Sequence, residues 1–169
     1  GQAVTQLRLS NYRNIKSLRL ESQARAVALM GPNGSGKTNI LEALSFLSPG
    51  RGLRRARLSQ VTRRGSDDLW VISAEIRERQ RVIKIGTGLS ISDRGIERRL
   101  VKVDGRPARG ISALGSAVAL NWLTPQMDRL FVEGAGPRRR FLDRLVYGLD
   151  NEHASRVLRY DRALRERSR

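Results

Sequence analysis

One eight-residue segment constrains the fold of this chain more than any other. Residues 31–38 read Gly-Pro-Asn-Gly-Ser-Gly-Lys-Thr and match the pattern G-x-x-x-x-G-K-[ST] in full. Glycines let such a backbone curl so that its N–H groups point at phosphate oxygens, the lysine reaches the β- and γ-phosphates, and the hydroxyl binds Mg²⁺. The pattern predicts an ATP and Mg²⁺ site formed by Gly31, Pro32, Asn33, Gly34, Ser35, Gly36, Lys37 and Thr38, with Thr38 as the metal ligand.

The residues on either side of this loop favour the same interpretation over an ordinary glycine-rich turn. Arg25–Met30 is a short apolar run of the kind found in strands buried on both faces. Lys37–Leu47 has apolar residues at helical spacing, and Ser48-Pro49-Gly50 predicts its end. Strand, phosphate loop and helix are thus expected in that order.

The remaining pattern predicts mostly antiparallel strands, followed by helices. Arg51–Gly65 is basic and polar, and it is expected to form a loop with a short helix. Asp104-Gly105 is expected to form a turn. The predicted strands are Val4–Ser10 and Ile15–Glu21, a meander of Leu69–Arg77, Arg81–Thr87 and Glu97–Val103, and Val118–Leu123; the predicted helices are Met127–Phe131, Pro137–Leu149 and Glu152–Arg167.

The charge of the chain points to a polyanionic partner. Lys and Arg number 33 against 16 Asp and Glu, which gives a net charge of +17. Such an excess favours nucleic acid, with an anionic membrane surface or an acidic protein as the alternatives. No apolar run approaches the roughly 20 residues that span a bilayer, and no basic-then-apolar signal peptide opens the sequence. With no cysteine present, we expect a cytoplasmic protein without membrane association.

The groups that would cleave ATP are harder to find. Hydrolysis needs an acidic group for Mg²⁺, usually at the end of an apolar strand, and a carboxylate that activates water. Leu100–Asp104 comes closest to such a strand, but Lys102 interrupts it. No catalytic residue is assigned, and little or no turnover is expected of this chain alone.

Two sets of residues resemble a known family. Asn11-Tyr12-Arg13-Asn14, together with residues 31–43, resembles the ATPase heads of the SMC/Rad50/RecF group. Residues 123–131 and Arg138–Arg144 resemble the RecF family within that group, and only its N-terminal portion. This resemblance implies an α/β fold of the ABC-ATPase head type. Residues 1–124 would form an ATP-binding lobe, with a mixed sheet around the phosphate-loop helix and an antiparallel meander, and residues 125–169 would begin a helical lobe.

The resemblance also implies a function in DNA replication, recombinational repair and the SOS response to DNA damage. It implies ATP-dependent dimerisation on DNA, slow hydrolysis of ATP, and cooperation with RecR and RecO in directing RecA to gapped DNA. Carried over by position, Arg13, Asn14 and Asn39 would lie beside the nucleotide. Gln126 would be the Q-loop residue that senses Mg²⁺ and the γ-phosphate, where the family usually has an acidic residue. Single-stranded, duplex and gapped DNA are the implied partners.

Other functions remain open at this point. The chain could be a phosphate-loop ATPase of another SMC or ABC type acting on a different substrate, or a nucleotide-binding fragment that is inactive alone. The charge of +17 and the segment from Pro125 to Asp143 favour DNA. The arginines of Arg51–Gly65 are either a solvated loop or a DNA contact, and Arg138–Arg140 either pair with Asp143 or Asp128 or bind an anion.

Overall fold

An antiparallel sheet of six strands is the largest element of the computed structural model. The structure describes residues 1–130, 132, 134–147, 149–150 and 152–167, and only the backbone of Gln126 and Asp128. The strands lie in the order β2-β1-β3-β4-β5-β6. Their bounds are Gln2–Tyr12 (β1), Ile15–Glu21 (β2), Val71–Glu78 (β3), Arg81–Ile91 (β4), Glu97–Val103 (β5) and Arg106–Pro107 (β6).

Strand alternation divides the sheet into an apolar face and a polar face. Leu7 and Leu9 of β1 lie opposite Ala74 and Ile72 of β3, and all four side chains are buried. The neighbouring positions Arg8 and Ser10 are exposed. Since successive side chains of a strand point to opposite faces, each strand gives its apolar set to one core.

One helix begins at the predicted phosphate loop, and it lies between β2 and β3 in the chain. This helix, α1 (Lys37–Ser45), packs on the apolar face of the sheet, and edge-to-face contacts join the buried rings of Tyr12, Phe46 and Trp70 next to it. Within the described part of the chain, no helix has both the length and the apolar character needed to cross a bilayer. The others are α2 (Ala113–Ala117), α3 (Ala135–Val146), α4 (His153–Arg167) and short 3-10 helices at Ser59–Val61 and Pro125–Arg129.

The predicted strand Arg25–Met30 is wrong, and so is the expected mixed sheet. This segment forms no strand, Val27 is 63% exposed, and Met30 is 90% exposed. A strand buried on both faces needs hydrogen-bonding neighbours and a covering layer on each side. All six strands of the described residues pair antiparallel with one another, and none of them lies beside this segment.

The predicted strand Val118–Leu123 is also wrong, because a side chain replaces the backbone ladder there. Val118 is buried in the core, as its apolar character indicated. The Gln2 amide donates from Nε2 to the Ala117 carbonyl, and its Oε1 accepts a hydrogen bond from the Ala119 N–H at 3.0 Å. The segment is therefore held to β1 without becoming a strand. The predicted turn at Asp104-Gly105 is confirmed, with φ values of 49° and 77°.

A half-buried arginine of β5 binds the backbone at and just beyond the C-terminal end of α1. The Arg99 guanidinium donates to the carbonyls of Phe46 and Ser48, to Gly50 O at 2.6 Å and to Thr87 Oγ1 at 2.9 Å. It also lies over the Phe46 ring, 5.1 Å from its centroid. Burial lowers the pKa of Arg99 to about 10. The chain leaves the helix here, and Arg99 supplies a donor from the sheet to the carbonyls of the C-cap Phe46 and of Ser48 and Gly50 beyond it.

Replacing Arg99 should therefore destabilise the fold. We expect Arg99→Met to lower the free energy of unfolding by about 3 kcal/mol, because buried carbonyls left without a donor cost about 1–3 kcal/mol each. Urea denaturation measures this change. The matched control is Arg98→Met, since Arg98 is exposed on the other face of the same strand. Equal losses in the two variants would contradict the role given to Arg99.

Candidate functional site

The predicted phosphate loop joins the unpaired segment before it to the start of α1. Gly34 and Gly36 have φ values of 83° and 100°, in the region that favours glycine. Gly36 is the N-cap of α1, and no side chain caps the helix there. The first N–H groups of α1 consequently face the loop, and together with the helix dipole they form an anion-binding end.

The two reactive side chains of the motif lie at the start of α1. Lys37 Nζ donates to the carbonyls of Gly31 at 2.8 Å and Pro32 at 2.7 Å, so the ammonium group folds back over the loop. Thr38 is exposed on the first turn of the helix. Both positions agree with the roles that the motif predicts, a cation beside phosphate and a hydroxyl ligand for a metal ion.

The turn between β1 and β2 packs against the loop through Asn14. The Asn14 amide donates to Gly34 O at 3.4 Å, and its Oδ1 accepts a hydrogen bond from Asn39 Nδ2 at 2.8 Å. A Cβ at position 36 would lie 3.1 Å from Asn14 Oδ1, which explains why this contact needs glycine at the N-cap. Asn14 and Asn39, both predicted to lie beside a nucleotide, are thus brought next to the phosphate loop.

A fully buried carboxylate organises the arginines around this site. Glu42 of α1 accepts two hydrogen bonds from Arg13, at 2.9 and 2.7 Å, and one from Arg54 at 3.2 Å. Arg54 also donates to Asn39 Oδ1 at 2.8 Å, and Arg13 donates to Gln60 O at 3.0 Å. Glu42 therefore links α1, the β1–β2 turn and the segment Arg51–Gly65, here called the basic loop, into one network.

The electrostatics of the network follow from this pairing. Hydrogen bonding to Glu42 raises the pKa of Arg13 above its usual value, so this guanidinium stays charged. Burial raises the pKa of the Tyr12 hydroxyl, and the Glu42 charge raises it further. Two guanidinium groups are consequently held beside the phosphate loop in fixed positions, where they add to the positive potential of the helix end.

A cleft of about 440 Å³ opens next to the phosphate loop. The β1–β2 turn and α1 form one side of it, and the end of the basic loop forms the other. This cleft has the polar and cationic character needed to hold the remainder of a ligand whose phosphates lie on the loop. Its lining residues are Arg13, Asn14, Asn39, Gln60, Thr62, Arg63 and Arg64.

Sequence reasoning named most residues of this candidate site and missed its buried centre. The structure brings Arg13, Asn14 and Asn39 close to residues 31–38, and their place beside a nucleotide stays a prediction. Gln126 lies in the 3-10 helix Pro125–Arg129, and its side chain falls outside the described residues, so its Q-loop role stays a prediction. Glu42 was missed, although a carboxylate one turn before the buried Phe46 on the same helix signals a need for a cation.

Comparisons with known proteins agree with this geometry. Residues 3–99 match the family model of the RecF/RecN/SMC N terminal domain. The chain is 46% identical over 166 residues to the DNA replication and repair protein RecF of Rhizobium meliloti strain 1021. It is 43% identical over 166 residues to RecF of Rhizobium rhizogenes strain K84. Each match covers 98% of this chain but only 44% of the relative, so the chain spans less than half the length of these curated relatives.

Solved structures show the same fold. The recombination mediator protein RecF-ATPrS in the RecFOR pathway superimposes with a TM-score of 0.84 at 24% identity, covering 98% of this chain and 44% of that one. The RecF-ATP structure superimposes with a TM-score of 0.77 at 25% identity, covering 98% and 45%. The expected P-loop ATPase head architecture is therefore confirmed, apart from the mixed sheet.

The buried carboxylate provides a test of the network. We expect Glu42→Gln to lower the free energy of unfolding by about 3 kcal/mol, because removing one partner of a buried ion pair leaves uncompensated charge. Arg13→Gln should also destabilise, and the double variant should lose less than the sum, with a coupling of about 1–3 kcal/mol. Urea denaturation gives all the values of this cycle.

The matched control for this cycle is Glu166→Gln, on the exposed ion pair with Arg162 of α4. That variant should change stability little, because exposed pairs contribute little. If the Glu42 and Arg13 changes were strictly additive, the ion pair would not be the centre of the network.

Proposed function

Because the chain belongs to the RecF/RecN/SMC N-terminal domain family, we propose that it binds ATP and DNA in recombinational repair and replication, with the nucleotide controlling its hold on DNA. The observation that carries this proposal is the phosphate loop itself, backed by two arginines on a buried glutamate. A glycine-rich turn that binds nothing needs no cations beside it, whereas a bound triphosphate needs them to offset its negative charge.

The residues have distinct parts in nucleotide binding. The N–H groups at the start of α1 and the Lys37 ammonium hold the phosphates, and Thr38 supplies a ligand to Mg²⁺, which neutralises phosphate charge when bound. The adjacent cleft receives the adenosine end of the nucleotide, where Arg13 and Asn14 contribute cationic and amide groups. Gln126 is kept in this proposal as a γ-phosphate and Mg²⁺ sensor, on the family resemblance alone.

The activities of whole RecF proteins are proposed more broadly, since the matched relatives are more than twice as long as the matched region. We assign to the longer form an ATP-dependent homodimer on DNA, slow hydrolysis, and cooperation with RecR and RecO in directing RecA to gapped DNA in the cytoplasm. We expect turnover by the present chain to stay at background, since no stretch of its sequence reads as a strand-length run of apolar residues followed by an acidic residue. Its two parts would be an ATP-binding lobe, residues 1–124, and the start of a helical lobe, residues 125–169.

Removing the loop lysine tests the nucleotide site. Lys37→Ala should weaken ATP binding by about tenfold to a hundredfold, because a hydrogen bond to a charged group contributes about 1.5–3 kcal/mol. Titration with a fluorescent ATP analogue, with and without Mg²⁺, measures the dissociation constant. Lys84→Ala is the matched control, since Lys84 lies in β4 and is exposed. Unchanged affinity in Lys37→Ala would overturn the assignment of the site.

Salt dependence tests DNA as the partner. The affinity for duplex DNA should fall linearly on a log–log plot as salt increases, with a slope of about 0.9 for each phosphate contacted. Fluorescence anisotropy at salt concentrations from 50 to 200 mM measures the slope, with and without ATP. An absence of binding at 50 mM salt would remove DNA from the proposal.

A further inference from the structure

The sheet has a second face, on which most side chains are exposed or half-buried. Strand alternation places Arg8 and Ser10 of β1, and Leu100 and Lys102 of β5, on the side opposite the core. Leu100 is 53% exposed, and Arg8, Ser10 and Lys102 are exposed as well. This outer face is separate from the nucleotide cleft, which is formed by the β1–β2 turn, α1 and the basic loop.

The pairing register puts basic residues into one row across this face. Arg8 lies directly opposite Arg19 on β2 and Ser73 on β3. Ser73 lies opposite Gly86 on β4, which in turn lies opposite Lys102 on β5. The row runs perpendicular to the strands, with two cations at one end, one at the other and only small residues between. We call these five residues, Arg19, Arg8, Ser73, Gly86 and Lys102, the basic row.

The charges around the basic row are unbalanced in favour of cations. The outer face carries two carboxylates on its strands, and both are already held, Glu21 by Arg19 and Glu75 by Lys84 at 3.5 Å. Among the described residues, no carboxylate lies within ion-pair distance of Arg8 or Lys102. Alternation assigns six basic residues to this face, namely Arg8, Arg19, Arg77, Lys84, Arg98 and Lys102.

Packing within the sheet does not explain why the middle of the basic row is a glycine, Gly86. At Gly88, one step along β4, a Cβ would meet Trp70 O at 3.0 Å, so packing accounts for that glycine. At Gly86 the nearest atom, Ile72 O, would be 3.9 Å away, which is ordinary contact distance. A glycine inside a strand weakens it, and it commonly marks a place where a ligand approaches the backbone closely.

We propose that the basic row binds the sugar–phosphate backbone of duplex DNA. Arg8 and Lys102 are three strands apart, which corresponds to about 14 Å at a strand spacing of about 4.8 Å. That distance exceeds the reach of a single phosphate, but it is close to the width of the major groove, about 12 Å. The two ends of the row thus contact phosphates on either side of one groove, and the glycine floor lets the duplex approach.

Contacts of this kind read charge and not sequence. The row offers cations to phosphates and small residues between them, and phosphate contacts position a duplex without reading its bases, so affinity should vary little between duplex sequences. Replacing one of these cations by a neutral residue should reduce the slope of the logarithm of affinity against the logarithm of salt concentration by about one. This inference rests on the proposed DNA-binding function and assigns it a surface.

The test is the double variant Arg8→Ala/Lys102→Ala in the full chain, with a mixed-sequence duplex as the probe. We expect at least about a tenfold loss of affinity at 0.1 M salt and a slope lower by about two. Gly86→Glu provides a second variant, because it puts a carboxylate into the middle of the row at a position with room for a side chain. It should weaken binding to a similar degree. ATP binding should be unchanged in both variants, which reports that each is folded.

The matched control is Lys16→Ala/Arg81→Ala, which removes the same two residue types from β2 and β4. Both residues are exposed, but they share the parity of the core-facing positions of their strands and therefore do not lie on the outer face. Wild-type affinity and slope in the Arg8/Lys102 variant, or an equal loss in the control, would overturn the basic row as the DNA surface and leave the proposed function standing. No DNA binding by the wild-type chain would overturn both.

Discussion

The site around the phosphate loop depends on one buried ion-pair cluster. Glu42 is completely buried, and a carboxylate in such a place is tolerated only when its charge and its hydrogen-bond acceptors are matched. Arg13 and Arg54 provide that match from opposite sides, one from the β1–β2 turn and one from the basic loop. The hydrogen bonds to one carboxylate therefore determine where two guanidinium groups lie relative to the phosphate loop.

The sheet positions α1 at both of its ends. Asn14, just after β1, contacts the loop at the N-terminal end through Gly34 O and Asn39. Arg99 of β5 binds the carbonyls at the C-terminal end. A helix held at both ends by one sheet has little freedom to tilt, and the phosphate loop that precedes it inherits this restriction. The polar contacts act together with the buried Tyr12, Phe46 and Trp70 rings.

Local sequence signals predicted the elements that obey local rules. The phosphate loop, the β1–β2 hairpin and the Asp104-Gly105 turn depend on residues close in the chain, and all were found. Arg25–Met30 and Val118–Leu123 were given the wrong structure because an apolar run reports a tendency to be buried, whereas a strand requires a neighbour that the run does not specify. Glu42 was missed because its partners are 29 and 12 residues away.

Strand β1 connects the two surfaces to which binding is assigned. Arg8 points to the outer face, and five residues later Arg13 reaches Glu42 beside the phosphate loop, a distance of about 17 Å along an extended strand. This strand is hydrogen-bonded on both sides, to β2 and to β3. The basic row and the β1–β2 turn are joined by strand β1. If bound ATP changes the affinity for DNA by some factor, linkage requires bound DNA to change the affinity for ATP by the same factor. One strand, paired on both sides, thus joins the proposed nucleotide site to the proposed DNA surface.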